Sequence, residues 1–376
     1  MKSVVKNLFL RGSVLDRWTL WKARRCENHY RKHLLACLDN RSSLGPGASS
    51  GVRSRTPLRN LLFIADCMWE IEELVPELAR IAPVEVLNLR PHLAPIGEAA
   101  DKPATVVQAV ERFVMQSGEP DAILFYARGS LLSEAVFDLL RRRWKAPLIG
   151  MNLDDKAEFF DYRVFRSGND NYQHWAKLFD LNLTSSVLAA DWYRRLNLPV
   201  LHCPMGFRRR PENAQPPATA SFKYKLSFIG SRRLERDRLV RDIQQAGIPL
   251  TLFGTGWPNS NWTENPTVTY RESQLNLGIN YWSPAGQGTG SKARDFECPG
   301  AGACYLTSFH WELAHYYDIG REVLCWSSLE ELIELYSFYA ARPEECLRIA
   351  QAAHARCAGE HTWEHRFRRV FSEMGF

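Results

Sequence analysis

The sequence predicts an α/β protein built from two doubly wound domains. Three features predict it. The chain has 376 residues, more than one hydrophobic core usually occupies. Short apolar runs such as Asn60 to Ile64 read as parallel strands covered on both faces. Such runs alternate with segments of helical spacing, the pattern of strand, crossover helix and strand. A hydrophobic content of 45%, with 12 Trp, 13 Tyr and 19 Phe, supplies the apolar surface for two cores.

Taken in order, the ordered body starts at Leu58. A strand at Asn60 to Ile64 is followed by helical spacing over Ile71 to Ile81 and a second strand at Val84 to Leu89. Next come a helix from Thr105 to Gln116, a strand at Ala122 to Tyr126, a helix at Leu131 to Trp144 and a strand at Pro147 to Asn152. Helices near Asn171 to Phe179 and Val187 to Leu196 then alternate with strands at Leu181 to Ser185 and Val200 to Cys203. The polar stretch Arg208 to Ser221, rich in Pro, Ala and Arg, reads as an interdomain hinge.

A second α/β pattern follows. It has a strand at Tyr224 to Ile229, a turn at Gly230 and Ser231, a charged helix at Leu234 to Ala246 and a strand at Leu250 to Phe253 closed by the loop Gly254 to Trp257. Gln274 to Asn280 leads into a third element, Lys292 to Glu297 heads a helix, and strands are expected at Ala303 to Thr307 and Glu322 to Trp326. Helices at Leu329 to Tyr339, Glu344 to Ala358 and Trp363 to Phe371 complete the chain. The domains are therefore expected at 58–207 and 222–358, with a basic segment at 1–57 and a last helix in 359–376.

The formal charge of +6 is uneven. Residues 1–57 carry twelve Lys or Arg against three acids, a surplus of nine that leaves −3 for the rest. A folded body with that balance argues against a nucleic-acid partner. Within the head, Val14 to Leu38 reads as a basic helix able to rest on an acidic membrane surface or to pack on protein, and Asn40 to Pro57 reads as a linker. Nine scattered cysteines without a CxxC pair fit reduced thiols, and the histidines do not group with them at zinc spacing. No apolar run reaches the length of a membrane span, so the expectation is a cytoplasmic protein, with peripheral contact at the inner face of the membrane through residues 1–57 as the alternative to packing of that segment on protein.

The densest polar region is Ser283 to Thr307. Gly286, Gly288 and Gly290 permit close backbone approach, and Lys292 and Arg294 place positive charge beside the helix they open, an arrangement suited to a diphosphate. Glu297 can accept both hydroxyl hydrogens of a ribose diol. By spacing alone, Lys292, Arg294, Asp295 and Glu297 read equally as a salted helix surface. Gly230, Ser231, Arg232 and Arg233 follow a strand and precede a helix, where an arginine can clamp phosphate. Asp154 and Asp155 follow a strand of the first domain and are candidates to bond an acceptor hydroxyl, or to cap the next helix. Asp66 and Arg128 occupy the same kind of position, and His310 lies either near the donor or packed among aromatic residues.

Five ordered motifs carry a resemblance. Leu277 to Trp282, Lys292-Ala293-Arg294-Asp295-Phe296-Glu297, Tyr305-Leu306-Thr307, Glu322-Val323-Leu324-Cys325 and His361-Thr362-Trp363-Glu364-His365-Arg366 together resemble the glycosyltransferases related to the CgeB spore-maturation protein, over roughly Tyr224 to Phe371. The resemblance implies a GT-B architecture: two Rossmann-like domains facing across a cleft, the donor nucleotide held mainly by the C-terminal one, and a last helix crossing back to the first. It implies transfer of a sugar from a nucleotide-diphosphate donor, UDP favoured, to a glycan, protein or small-molecule acceptor, with retention, without a metal and without a further cofactor. Glu297 matches the ribose-binding glutamate, Lys292 and Arg294 the basic positions near the diphosphate, and Gly230-Ser231-Arg232 the phosphate-facing turn. Many retaining GT-B enzymes carry two glutamates with seven residues between them, and Thr289 stands here in the first position. That departure leaves open an inactive nucleotide-sugar-binding or assembly protein on the same scaffold, and a nucleotide-sugar epimerase is the enzyme rival.

Overall fold

The computed structural model of the protein describes residues 56–93, 101–155, 159, 172–218, 222–258, 260–280 and 290–376. The expected basic helix Val14 to Leu38, nearly all of its linker, and the glycine-rich run 281–289 with Thr289 lie outside the described residues.

Eleven strands among the described residues form two sheets, and every pairing is parallel. The first contains β1 (Leu61–Ala65), β2 (Val84–Asn88), β3 (Ala122–Tyr126), β4 (Leu148–Asn152), β5 (Leu181–Thr184) and β6 (Val200–His202), in the order β2-β1-β3-β4-β5-β6. The second contains β7 (Tyr224–Ile229), β8 (Thr251–Phe253), β9 (Ser273–Gly278), β10 (Tyr305–Ser308) and β11 (Leu324–Trp326), in the order β11-β10-β9-β7-β8. Counted from its own first strand, the first sheet winds 2-1-3-4-5-6 and the second 2-1-3-4-5, so the order reverses once in each. Residues 205–362 make one compact unit, the second, and the described residues before them join Trp363–Phe376 in the first. Each sheet is flanked by helices, and the two are Rossmann-like domains typical of the GT-B architecture.

β1 is fully apolar because both of its faces are covered. All five residues of β1 are buried, which explains its lack of alternation. β4 is likewise buried throughout, and a Cβ at its Gly150 would sit 2.6 Å from the Phe179 ring. β9 is buried from end to end yet half polar. Its Asn276 donates to Tyr270 O at 3.0 Å and accepts from Ser227 Oγ at 3.0 Å, and Gln274 donates to Tyr339 O at 2.9 Å, so burial costs these groups no hydrogen bond.

Helix boundaries differ from the expected ones for physical reasons. The helix expected from Ile71 runs from Met68 to Leu78, because its buried side includes Glu70, Glu73 and Glu77, which an apolar period does not register. The segment expected as one helix from Leu131 divides into a 3₁₀ turn at Gly129–Leu131 and a helix at Glu134–Arg143 with Ser133 at its N-cap. The stretch read as a hinge is no free connection. Asn213 is held by Arg210 N and donates to Arg208 O, while His354, Arg271 and Gln351 bond the carbonyls of Asn213, Gln215 and Pro217. Residues 208–218 thus belong to the packing of the second unit. No helix among the described residues is long and apolar enough to cross a membrane.

The last helix, Trp363–Met374, buries Trp363, Phe367, Val370 and Phe371, one face at helical spacing. It packs on the helix Met68–Leu78. There the fully buried Glu77 accepts the Glu364 amide at 3.3 Å, placing a carboxylate at the helix start where the dipole favours it. Phe367 stacks on Trp363 with centroids 5.8 Å apart and is wholly buried. Replacing it by Ala is expected to lower unfolding free energy in a denaturant titration by about 3 to 5 kcal/mol, whereas Phe338→Ala, at an exposed position, is expected to change it by about 0.5 kcal/mol or less.

Candidate functional site

In the second unit the strand order reverses between β7 and β9. Ligands of open parallel sheets bind outside the carboxyl ends of the strands at such a point. Here β7 ends at Ile229, followed by Gly230, and β9 ends at Gly278, followed by Ile279 and Asn280. Arg294 spans the gap. Its Nη1 donates to Ile229 O at 3.0 Å, and its Nη2 lies 3.4 Å from Ile279 O.

The Arg294 guanidinium also lies 5.0 Å from the centroid of the Phe228 ring, and that of Arg236 lies 5.6 Å from it, within the range of cation–π attraction. Arg236 donates to Ser231 O at 2.8 Å and is buried. Both guanidiniums converge on Gly230, where an added Cβ would stand 3.1 Å from Arg294 Nη1 and 3.3 Å from Arg236 Nη1. Among the described residues no carboxylate pairs with Arg294, and its buried Nε has no hydrogen-bond partner. Positive charge is therefore concentrated, without a local counter-ion at Arg294, at the point where the fold receives ligands.

The turn at Gly230 is fixed from the β8 side. Gly230 N donates to Phe253 O at 2.9 Å, Arg232 N to Thr255 O at 2.9 Å, and Trp257 Nε1 to Gly230 O at 2.7 Å. Thr255 Oγ1 bonds Ser231 Oγ at 3.1 Å. Gly254 has φ +117°, and a Cβ on it would come within 2.7 Å of Gly230 O, so both conformation and close approach require glycine. Arg232, read from sequence as a phosphate clamp, is paired with Asp237 at 2.7 Å. Arg236, in the first turn of the helix Leu234–Gln245, is the guanidinium of that helix that meets Gly230. Sequence reasoning missed it because it is one of several arginines on a charged helix, and only the helix register about β7 distinguishes it.

Asp295 is the organising group of the adjoining loop. Its side chain is fully buried and accepts from Asn280 Nδ2 at 2.8 Å, Tyr305 OH at 2.9 Å, Lys292 N at 2.8 Å and His310 Nε2 at 3.1 Å. Tyr317 OH donates to its carbonyl at 2.6 Å. Burial alone would push this carboxyl up, but the hydrogen bonds and charge of His310, with those of Lys292 N and Asn280, outweigh it and hold the pKa below the ordinary value. Gly278 makes room for the arrangement, since a Cβ there would collide with Thr307 Oγ1 and the Tyr305 hydroxyl. The reading of Asp295 as one charge of a salted helix surface is thus corrected: it lies inside, and His310 is its packed partner.

The remaining expected residues fall into place around this hub. Gly290 is buried and donates to Asn280 O at 3.2 Å. Lys292 is partly buried and its amide is taken by Asp295. Glu297, also partly buried, stands three residues after Arg294 in the short helix Arg294–Gly300, on a neighbouring face. In the first unit Asp154 is exposed, its amide bonded to Asn152 Oδ1 at 2.9 Å, whereas Asp155 is completely buried. Of the two, Asp154 faces water.

Replacing Asp295 by Asn leaves donors aimed at an amide nitrogen and is expected to cost about 3 kcal/mol of stability. A depressed carboxyl pKa adds stability that is complete above the unfolded value near about 4 and is lost as pH falls through the folded value. Denaturant midpoints measured across the acid range should therefore decline more steeply in the native chain than in Asp295→Asn.

A family model described as glycosyl transferase-like matches residues 232–372. No curated protein matches the chain. Sucrose-phosphate synthase from Thermosynechococcus elongatus superposes with a TM-score of 0.57 at 12% identity, covering 84% of this chain and 100% of that one. HepE of Anabaena, solved with UDP and glucose, gives 0.56 at 12% identity over 84% and 99%. A candidate UDP-N-acetylglucosamine 2-epimerase from Listeria monocytogenes gives 0.50 at 12% identity over 84% and 95%. Identities this low show a shared fold alone, the GT-B architecture of two Rossmann-like domains.

Proposed function

We propose that the chain is a glycosyltransferase that takes a sugar from a nucleoside diphosphate carrier bound in its second unit. The observation that carries this reading is the convergence of Arg294 and Arg236 on Gly230 at the switch point of the sheet. A diphosphate brings the counter-charge that Arg294 lacks among the described residues, and guanidinium groups recognise phosphate oxygens through directed donors. Glu297 accepts the ribose hydroxyls, Lys292 extends the positive field, and Gly230, Ser231 and Gly290 let the ligand approach the backbone. UDP is favoured on the fold shared with HepE, which was solved with UDP and glucose.

Mechanistically, negative charge grows on the departing diphosphate as the bond to the sugar breaks. Fixed cations stabilise that charge without reorganising. Arg294 is tied to Ile229 O and rests on Phe228, so its position is set before the ligand arrives. No metal is needed for this role, and retention of configuration is the stereochemical outcome proposed, with donor phosphate receiving the acceptor proton. The first unit supplies the acceptor side, where Asp154 is the exposed carboxylate of its pair and Asp155 is buried.

Calorimetric titration with UDP, GDP, dTDP and ADP tests the donor assignment. Selective binding of UDP is expected, with affinity falling about tenfold or more in Glu297→Gln and Arg294→Lys, roughly 1.4 kcal/mol each. Absence of binding to all four nucleotides at millimolar concentration would refute it. Product analysis of a UDP-sugar incubated without acceptor separates transfer from epimerisation, since only the latter returns a sugar isomer.

A further inference from the structure

The first unit has its own reversal of strand order, between β1 and β3. The carboxyl ends meeting there are Ala65, followed by Asp66, and Tyr126, followed by Ala127 and Arg128. Arg128 directs Nε at 2.9 Å and Nη2 at 2.8 Å to the same oxygen, Asp66 Oδ2. The other oxygen, Oδ1, is buried and accepts nothing. One turn further, Glu70 is 7% exposed and its Oε2 is likewise buried without a partner. The Asp66 side chain is 3% exposed, that of Arg128 48%, and Cys67 between the two acids is exposed. The orphaned oxygens are thus buried on residues whose chain neighbour Cys67 and ion-pair partner Arg128 reach solvent.

We propose that Asp66, Glu70 and Arg128 form a binding site for a neutral, hydroxyl-rich ligand, a carbohydrate. Its role as acceptor rests on the glycosyltransferase reading, whereas the binding itself does not. Two buried acceptor oxygens call for donors, and sugar hydroxyls offer donors in adjacent pairs. Phosphate or carboxylate groups bring only acceptors and would meet two acids. The positive charge of Arg128 is already engaged by Asp66. An ammonium group would donate from a single point, whereas the two orphaned oxygens stand on side chains one helical turn apart. Burial, with the charge of Asp66 adding to it, pushes the Glu70 carboxyl up, against the pull of hydrogen bonds from Cys67 and Tyr126; the choice of a neutral partner rests on the paired donors that adjacent hydroxyls supply.

The test uses the full chain on a glycan array bearing neutral, amino and acidic sugars, with UDP in the buffer and UDP affinity measured separately by calorimetry. Retention on neutral glycans is expected, falling at least tenfold in the near-isosteric Asp66→Asn and Glu70→Gln while UDP affinity stays unchanged. The unaltered chain supplies a second readout that no misfolded variant can confuse. Alkylation of Cys67 by iodoacetamide, followed by peptide mass spectrometry, should slow in the presence of the best-retained glycan. No retention of any neutral glycan, retention only of amino or acidic sugars, retention insensitive to both substitutions, or unprotected Cys67 would each overturn the site. Loss of UDP binding alone would remove the donor reading and leave the glycan result to stand or fall by itself.

Discussion

The second unit depends on keeping one carboxylate ionised inside it. Asp295 has given up water completely, and isolated burial of a charge is among the costliest events in folding. Four donors from four separate places answer it: the end of β9, the start of β10, the backbone ahead of the short helix, and His310. Each donor is thereby held in a defined position. Gly290 is fixed through Asn280, the Lys292 amide directly, and Arg294 and Glu297 through the helix whose first turn contains Asp295. Without this anchor Gly290, Lys292, Arg294 and Glu297 would not be held in one arrangement.

The same logic explains β9. A strand containing Ser273, Gln274 and Asn276 does not resemble the apolar strands beside it, yet it is buried along its whole length. Its amides close the ends of neighbouring helices and loops by bonding Tyr270 O, Cys304 O, Tyr339 O and Ala340 O. Central polar residues thus fasten the covering layer to the sheet, an arrangement that is stable only because nearly every group finds a partner.

These features mark the limit of what the linear sequence discloses. Strands such as β1 and β3 are legible because burial on both faces leaves an unbroken apolar run. The helix Met68–Leu78 is legible three residues late, since acids on its inner side break the period. Short helices at Pro266–Arg271 and Leu313–Tyr316 are too brief to establish any period. At the site, the turn at Gly230 and the run from Lys292 to Glu297 stand out through glycine, charge and ordered motifs. Arg236 and Asp295 do not, because their importance lies in partners far along the chain: Phe228 and Ser231 for one, Asn280, Tyr305 and His310 for the other.

Both units wind in the same order and so offer a ligand position at the same topological place, but the side chains there differ in kind. In the second unit two arginines meet at Gly230, and Arg294 has no carboxylate opposite it among the described residues. In the first, one acid follows a strand end and a second stands one turn into the next helix, with one arginine that spends both of its bonds to Asp66 on a single oxygen. The fold accounts for where these groups stand, and it cannot account for their sign. Cations at one switch point call for phosphate oxygens; unfilled acceptors at the other call for donors that carry little charge. The two proposed ligands, a nucleotide-sugar and a neutral hydroxyl-bearing partner, divide along that line, so the proposal rests on the chemistry at the strand ends and not on the likeness of the domains.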